Sequence, residues 1–124
     1  MSMADGKDPM HVPFRTARDA WLEGGGMLIL SNYVIDETLT LIRMRLGLKA
    51  AERWWNQVSG SPRCKTEWVT SDRVGSALQW FFKWKDQSFS FTDCTSFVLM
   101  KELDIEKALT SDRHFIIAGF ELLP

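Results

Sequence analysis

Acidic residues stand at three places in the chain from which their carboxylates could gather at one site. Each place follows a short segment whose pattern is typical of a strand: Asp36 and Glu37 follow residues 27–30, Asp93 follows 88–91 and Asp112 follows 107–111. In open parallel sheets, ligands bind beyond the carboxyl ends of the strands. We therefore expect these carboxylates to meet at one edge of a sheet.

A cluster of carboxylates predicts a site for a hard cation. Carboxylates that lie close together repel one another, so either their pKa values rise or a cation binds between them. Oxygen ligands and water suit Mg²⁺ or Mn²⁺, and such an ion activates water and stabilises charge on phosphate oxygens. The predicted chemistry is phosphodiester cleavage. A simpler alternative stays open, because Asp93 could be only a first-turn helix acid and Asp112 only a turn residue.

Apolar periodicity and turn residues predict strands that alternate with helices. Strands are predicted at 27–30, 63–70, 107–111 and 121–123, with an extended segment at 88–91. Helices are predicted at 13–23, 33–46, 48–58, 71–85, 92–103 and 114–118. Thr92 is the expected N-cap of the helix that carries Asp93. Short apolar strands between helices predict an α/β fold with a parallel sheet.

The composition is that of an ordinary globular chain, with 124 residues, 45% of them hydrophobic and 25% charged. This predicts one domain and excludes a disordered chain or a disulfide mini-protein. The apolar runs are too short to cross a membrane, and the N-terminus has no apolar region of a secretory signal. Cys64 and Cys94 form no CxxC motif, so we expect reduced thiols in a cytoplasmic protein. A net charge of −1 argues neither for nor against a nucleic-acid partner.

Four segments carry a resemblance to a known family. They read SNYVIDETLTLI at 31–42, SFTDCTSFVLM at 90–100, LTSDRHF at 109–115 and AGF at 118–120. Together and in this order they resemble the PIN-domain nucleases, in particular the proteins of the VapC toxin type. The resemblance implies a PIN-like three-layer α/β domain with a central parallel β-sheet flanked by helices. It also implies an endoribonuclease that uses Mg²⁺ or Mn²⁺ to hydrolyse RNA, with a toxin–antitoxin pair as its setting.

Carried over residue by residue, the resemblance implies a catalytic and metal-binding set of three acids. Glu37 matches the family's helix glutamate, Asp93 matches the aspartate of its S-x-x-D segment, and Asp112 matches the aspartate after the penultimate strand. Asp36 is the less suitable ligand, because its neighbour Glu37 fits the family motif and consecutive helical side chains point about 100° apart. We expect Glu37, Asp93 and Asp112 to hold the metal.

Further residues are expected around these acids. Asn32 and Ser111 match small polar positions of the family that support the acids, and we place both on the substrate side of the site. Arg113 and Arg73 are candidates for contacts to phosphate, which position a nucleic acid without reading its bases. His114 follows Asp112 by two residues, and the family favours a structural or substrate-orienting role for it over a catalytic one.

The resemblance also implies partners. RNA is the expected substrate, and an antitoxin protein and a second copy of the chain are expected partners, with no membrane involved. The aromatic groups Trp54-Trp55 and 80–84 are denser than a core of this size needs. One tryptophan of each group is predicted to face outward, where it could contact a partner. The alternative is that all of these aromatic residues belong to the core.

One departure from the family pattern concerns the start of the chain. Family members begin with a central strand that ends in a metal-binding aspartate. This chain opens with MSMADGKDP, which resembles the end of the family's first helix and the loop after it. We therefore expect a single PIN-like domain over 1–124 that is truncated at its N-terminus and weak or inactive as a nuclease. Two alternatives follow: a non-catalytic PIN-like module that binds a protein or RNA, and a nuclease that acts on DNA.

Overall fold

The computed structural model describes residues 26–110 and 112–123. The elements in these residues are, in order, β1 (Leu28–Ser31), α1 (Asn32–Leu46), α2 (Leu48–Gly60), β2 (Cys64–Glu67), α3 (Ser71–Lys83), α4 (Phe91–Glu102), β3 (Lys107–Leu109), α5 (His114–Ile117) and β4 (Glu121–Leu123). The predicted helix at 13–23 and the expectation about a first strand lie outside the described residues. Elsewhere the alternation follows the prediction.

The described strands form two parallel pairs, β1 with β2 and β3 with β4. Leu28 lies opposite Cys64 in the first pair, and Leu109 lies opposite Leu123 in the second. Residues of both β1 and β3 line one cavity. The carboxyl end of β1 leads into α1, and the carboxyl end of β3 leads towards Asp112. Glu37 and Asp112 therefore follow β1 and β3, as the sequence predicts, whereas Asp93 follows residues 88–90, which form no strand.

Turn and cap residues explain where the first helices begin and end. The Ser31 hydroxyl accepts a hydrogen bond from the backbone N–H of Val34 at 3.0 Å and caps α1. Gly47 has φ of 96°, a left-handed conformation that favours glycine, and it ends α1 just before α2 begins. Thr70, which the sequence predicts within a strand, instead caps α3 by accepting from the N–H of Arg73 at 3.5 Å. Because Thr70 belongs to the start of α3, β2 is shorter than the strand predicted over 63–70.

The main core is built around the fully buried ring of Phe97 on α4. Four aromatic rings surround it, with centroid distances of 4.9 Å to Phe115, 5.0 Å to Phe89, 5.3 Å to Trp80 and 5.8 Å to Phe120. This cluster joins α3, α4, α5 and the segments next to them. A smaller cluster of Ile35, Ile42, Ala51 and Trp54 holds α1 against α2.

Several large apolar side chains lie at the surface. Trp55 is 40% exposed although its neighbour Trp54 is only 9% exposed, so the prediction that one tryptophan of the pair faces outward is confirmed. Phe82 is exposed as well, at 63%. It lies next to Phe81 on an outer face of α3, where the rings contact each other at 5.4 Å. No helix among the described residues is long and apolar enough to span a membrane.

The Phe97 cluster leads to a prediction about stability. Phe97→Ala should lower the free energy of unfolding by about 3–5 kcal/mol, because it removes a buried ring and leaves a cavity. Urea denaturation followed by tryptophan fluorescence measures the change. Phe82→Ala is the matched control and should cost less than about 1 kcal/mol, since its ring is largely exposed. Equal losses for the two variants would contradict the central role of Phe97.

Candidate metal centre

Asp93 is held in the first turn of α4 by a reciprocal cap. The Ser90 hydroxyl accepts from the Asp93 backbone N–H at 3.0 Å, and Asp93 Oδ2 accepts from the Ser90 N–H at 3.3 Å. The predicted N-cap Thr92 is wrong, because Ser90 is the residue whose hydroxyl reaches the third backbone N–H of the helix. Asp93 therefore does fill the structural role that the simpler alternative gives it.

Asp112 is positioned by a tight turn between β3 and α5. Its backbone N–H donates to the Thr110 hydroxyl at 3.1 Å, and its own Oδ1 accepts from the His114 backbone N–H at 2.9 Å. Such side-chain bonds to the backbone two residues away are typical of turns that begin with aspartate. The turn brings the imidazole of His114 back towards the carboxylate of Asp112.

The two carboxylates and the imidazole form one cluster. His114 Nδ1 lies 3.2 Å from Asp112 Oδ1 and 3.7 Å from Asp93 Oδ2. One donor atom from each of the three side chains lies within 4.8 Å of the others. Among the residues that the structure describes, no lysine or arginine pairs with either carboxylate. The negative charges are thus close together without a fixed cation, an arrangement that favours binding of a metal ion.

A cavity of about 1150 Å³ gives this cluster access to a large ligand. Glu37 lines the same cavity from the second turn of α1, together with the hydroxyl-bearing Ser31, Thr92 and Ser96. Glu37 lies outside the three-residue cluster. Its neighbour Asp36 is not among the lining residues, which agrees with the preference for Glu37 as the ligand.

The three predicted substrate-binding residues are Asn32, Ser111 and Arg113, of which the structure describes Asn32 and Arg113. Asn32 Oδ1 accepts from the Val69 backbone N–H at 2.6 Å, so this oxygen holds the chain after β2 to the start of α1. Asn32 does not line the cavity, whereas the neighbouring Ser31 does. Ser111 lies outside the described residues. Arg113 is exposed between Asp112 and α5, where its side chain is accessible to a phosphate.

Arg73 is engaged in ion pairs. Its guanidinium donates to Glu102 at 2.6 Å, to Glu67 at 3.0 Å and to the Trp68 carbonyl oxygen at 2.7 Å. Hydrogen bonds from Lys65 and Arg73 lower the pKa of the Glu67 carboxyl. The interpretation of Arg73 as a phosphate contact is wrong, because these bonds fasten α3 to β2 and α4.

The structure brings His114 into the centre beside Asp93 and Asp112. The signal was present in the spacing, because Asp112 and His114 are two residues apart at the start of a helix. That spacing does not show in which direction the imidazole of His114 points. The Asp112 turn and the contact of the imidazole with the Phe89 ring, at 5.2 Å and 86°, decide it.

The fold and the centre together define an α/β protein with an acidic centre suited to a metal ion at the starts of α4 and α5. No family model matches the chain. The 23S rRNA-specific endonuclease VapC20 of Mycobacterium tuberculosis is 33% identical over 105 residues, which make up 85% of this chain and 79% of the relative. The crystal structure of VapC20 from the same organism, described as a sarcin–ricin loop cleaving toxin, matches with a TM-score of 0.85 at 31% identity. That match covers 99% of this chain and 92% of the other.

These likenesses confirm the resemblance that the motifs indicated. The chain belongs to the VapC family of PIN-domain ribonucleases. The predicted α/β fold class is confirmed as well.

The cap at Asp93 leads to a prediction. Ser90→Ala should destabilise the protein by about 1 kcal/mol, because it removes the hydroxyl that accepts from the Asp93 N–H. Thr92→Ala is the control and should change the free energy of unfolding by no more than about 0.5 kcal/mol. Chemical denaturation measures both. A larger loss for Thr92→Ala than for Ser90→Ala would contradict the observed cap.

The fully buried thiol of Cys94 next to Asp93 leads to a second prediction. Burial, with a smaller effect of the Asp93 charge, raises the pKa of Cys94 from 9.0 to about 11. The unfolded chain therefore loses this proton first, so stability is retained below pH 9 and lost as the pH rises towards 11. The loss should be on the order of 2 kcal/mol. Denaturation between pH 8 and 11 measures it: Cys94→Ala should remove this part of the decline, and Cys64→Ala should keep it.

Proposed function

We propose that this chain is an endoribonuclease that hydrolyses RNA phosphodiester bonds at the centre formed by Asp93 and Asp112, with Glu37 completing the acidic set. The observation that carries the proposal is the pair of carboxylates on a large open cavity, with which no lysine or arginine of the described residues pairs. Such a pair is costly for a purely structural site, because like charges close together destabilise the folded state. A cation-dependent reaction gives the arrangement a function.

The residues present fit a divalent metal ion. Asp93 and Asp112 offer carboxylate oxygens, and the buried Nδ1 of His114 beside them has no hydrogen-bond partner among the described residues. Asp93 and Asp112 would hold Mg²⁺ or Mn²⁺, with Glu37 facing the same cavity. When bound, such an ion activates water and stabilises charge that develops on phosphate oxygens.

The chain's own residues have defined tasks in this proposal. The caps at Ser90 and Thr110 hold the backbone of the acids, so their carboxylates do not have to reorganise when the phosphodiester arrives. Arg113 is exposed at the edge of the centre and would contact a backbone phosphate of the RNA. Asn32 holds the start of α1, the helix that carries Glu37, to the chain after β2 by accepting from the Val69 N–H. We keep Ser111 as a predicted substrate contact.

The relative in the comparison suggests the substrate class. VapC20 is named a 23S rRNA-specific endonuclease, and its crystal structure is described as that of a toxin that cleaves the sarcin–ricin loop. We propose ribosomal RNA as the substrate of this chain. The cavity is open, so a short segment of a larger RNA has access to the acids.

The proposal includes two protein partners and a location. We propose that the chain pairs with an antitoxin protein, forms a homodimer and works in the cytoplasm. Exposed aromatic side chains on α2, α3 and the segments beside them support a protein contact: Trp55, Trp68, Phe81 and Phe82 are 40–65% exposed. Aromatic residues of this kind are enriched in protein interfaces.

The function is tested by removing one charge from the centre. Asp93→Asn should lower Mg²⁺- or Mn²⁺-dependent cleavage of ribosomal RNA by roughly 100-fold or more, because an amide binds the cation far more weakly than a carboxylate. The amide oxygen can still accept the bond from Ser90, so the cap and the fold should persist. Cleavage is followed on intact ribosomes and on purified RNA by gel electrophoresis, with EDTA as the metal-free condition.

Asp72→Asn is the control, because Asp72 is an exposed first-turn acid of α3 that lies away from the cavity. It should leave cleavage unchanged. Full activity in Asp93→Asn would overturn the proposed centre. Metal-independent binding of RNA or protein without cleavage would instead favour the non-catalytic module, and cleavage of DNA alone would favour the DNA-acting nuclease.

A further inference from the structure

We propose that His114 Nδ1 is a direct ligand of the metal ion, the third donor beside Asp93 and Asp112, and that Ser88 holds the imidazole in the binding orientation. This inference rests on the proposed function, because it adds a nitrogen donor to the same centre. It makes His114 a residue that determines which metal the centre prefers.

The first observation is the surroundings of the ring nitrogen. Nδ1 is buried and has no hydrogen-bond partner among the described residues. Asp112 Oδ1 lies only 3.2 Å away, yet off the direction in which Nδ1 could share a proton with it. That oxygen already accepts from the His114 backbone N–H at 2.9 Å. A buried nitrogen without a partner is destabilising, so its retention requires an explanation.

The second observation is the state of the other ring nitrogen. Nε2 lies 3.3 Å from the Ser88 hydroxyl oxygen, a distance at which Nε2–H can donate to Ser88. Nδ1 is then the ring nitrogen that faces the two carboxylates, 3.2 Å from Asp112 Oδ1 and 3.7 Å from Asp93 Oδ2. A metal ion that takes one donor atom from each of the three side chains fits this arrangement.

The imidazole is also held before any metal arrives. Phe89 is buried and packs edge-on against it, with centroids 5.2 Å apart. The backbone of His114 is fixed by Asp112, and the next residue, Phe115, packs against Phe97. Metal-binding histidines are typically oriented by a bond from their second ring nitrogen, and Ser88 supplies that bond here. Donor, orienting group and packing are therefore all present.

A nitrogen donor changes the metal preference. Centres built only from carboxylates and water suit Mg²⁺, whereas imidazole suits Zn²⁺ and other transition metals. With His114 bound, the centre should bind transition-metal ions more tightly than an all-oxygen centre of the same shape would. His114→Asp restores an all-oxygen set and is the informative substitution.

The test uses the spin of Mn²⁺ as a direct probe of its ligands. The full-length chain is loaded with Mn²⁺ and studied by electron spin-echo spectroscopy, once unlabelled and once with ¹⁵N-histidine. We expect a nitrogen coupling that changes with the label. His114→Asp should lose the coupling and still bind Mn²⁺. His11→Gln is the matched control, because the chain has only two histidines, and it should keep the coupling.

Competition titrations give a second readout. His114→Asp should lower the affinity for Zn²⁺ relative to Mg²⁺ by at least about tenfold. Mn²⁺ that binds without a histidine coupling, and is lost in Asp93→Asn, would overturn the role of His114 and leave the proposed function intact. No binding of Mn²⁺ by the unmodified chain would overturn the metal centre itself. A coupling that persists in His114→Asp would also overturn the inference.

Discussion

The packing of aromatic rings around Phe97 is the constraint on which the centre depends. Phe97 is fully buried and contacts Phe89 on one side and Phe115 on another. Phe89 lies just before the cap of Asp93 and packs against the imidazole of His114, and Phe115 is the residue that follows His114. One buried ring thus fixes the elements that carry the centre. Close packing transmits such constraints because an interior side chain has few alternative positions.

Two effects on the stability of the fold oppose each other at the centre. The cap at Asp93 stabilises the start of α4, and the turn at Asp112 stabilises the start of α5. The same carboxylates repel each other, and the nitrogen of His114 faces both. Local capping therefore offsets part of the cost of a charged cluster. Functional sites commonly retain such a local conflict, which the surrounding fold has to support.

Glu37 belongs to a different packing unit from the other acids. Its helix α1 packs on α2 through Ile35 and Ile42, whereas α4 belongs to the Phe97 cluster. A ring contact between Tyr33 and Phe91, at 6.1 Å, joins the starts of α1 and α4. The distance of Glu37 from the cluster thus depends on how two packing units meet. The role of Glu37 is for that reason more sensitive to tertiary packing than the roles of Asp93 and Asp112.

Much of this protein could be predicted from its sequence, because the relevant signals are local. Alternating apolar patterns predicted the order of strands and helices, and Gly47 marked the end of α1. The position of acids after strands predicted that Asp93 and Asp112 would lie close together, although Asp93 follows residues 88–90, which form no strand, and Glu37 lies outside the cluster. The local signal failed at Thr92, because Ser90 two residues earlier is an equally good cap by type and only the helix geometry distinguishes them.

Only the tertiary structure decided which side chains meet. The orientation of His114 depends on Phe89 and Ser88, which lie 25 and 26 residues away along the chain, and no local pattern encodes such a contact. The pairing of Arg73 with Glu67 and Glu102 is non-local in the same way. Residue type and spacing indicate what chemistry a side chain can perform. Whether it performs that chemistry depends on packing between distant segments, since burial and direction are properties of the folded chain.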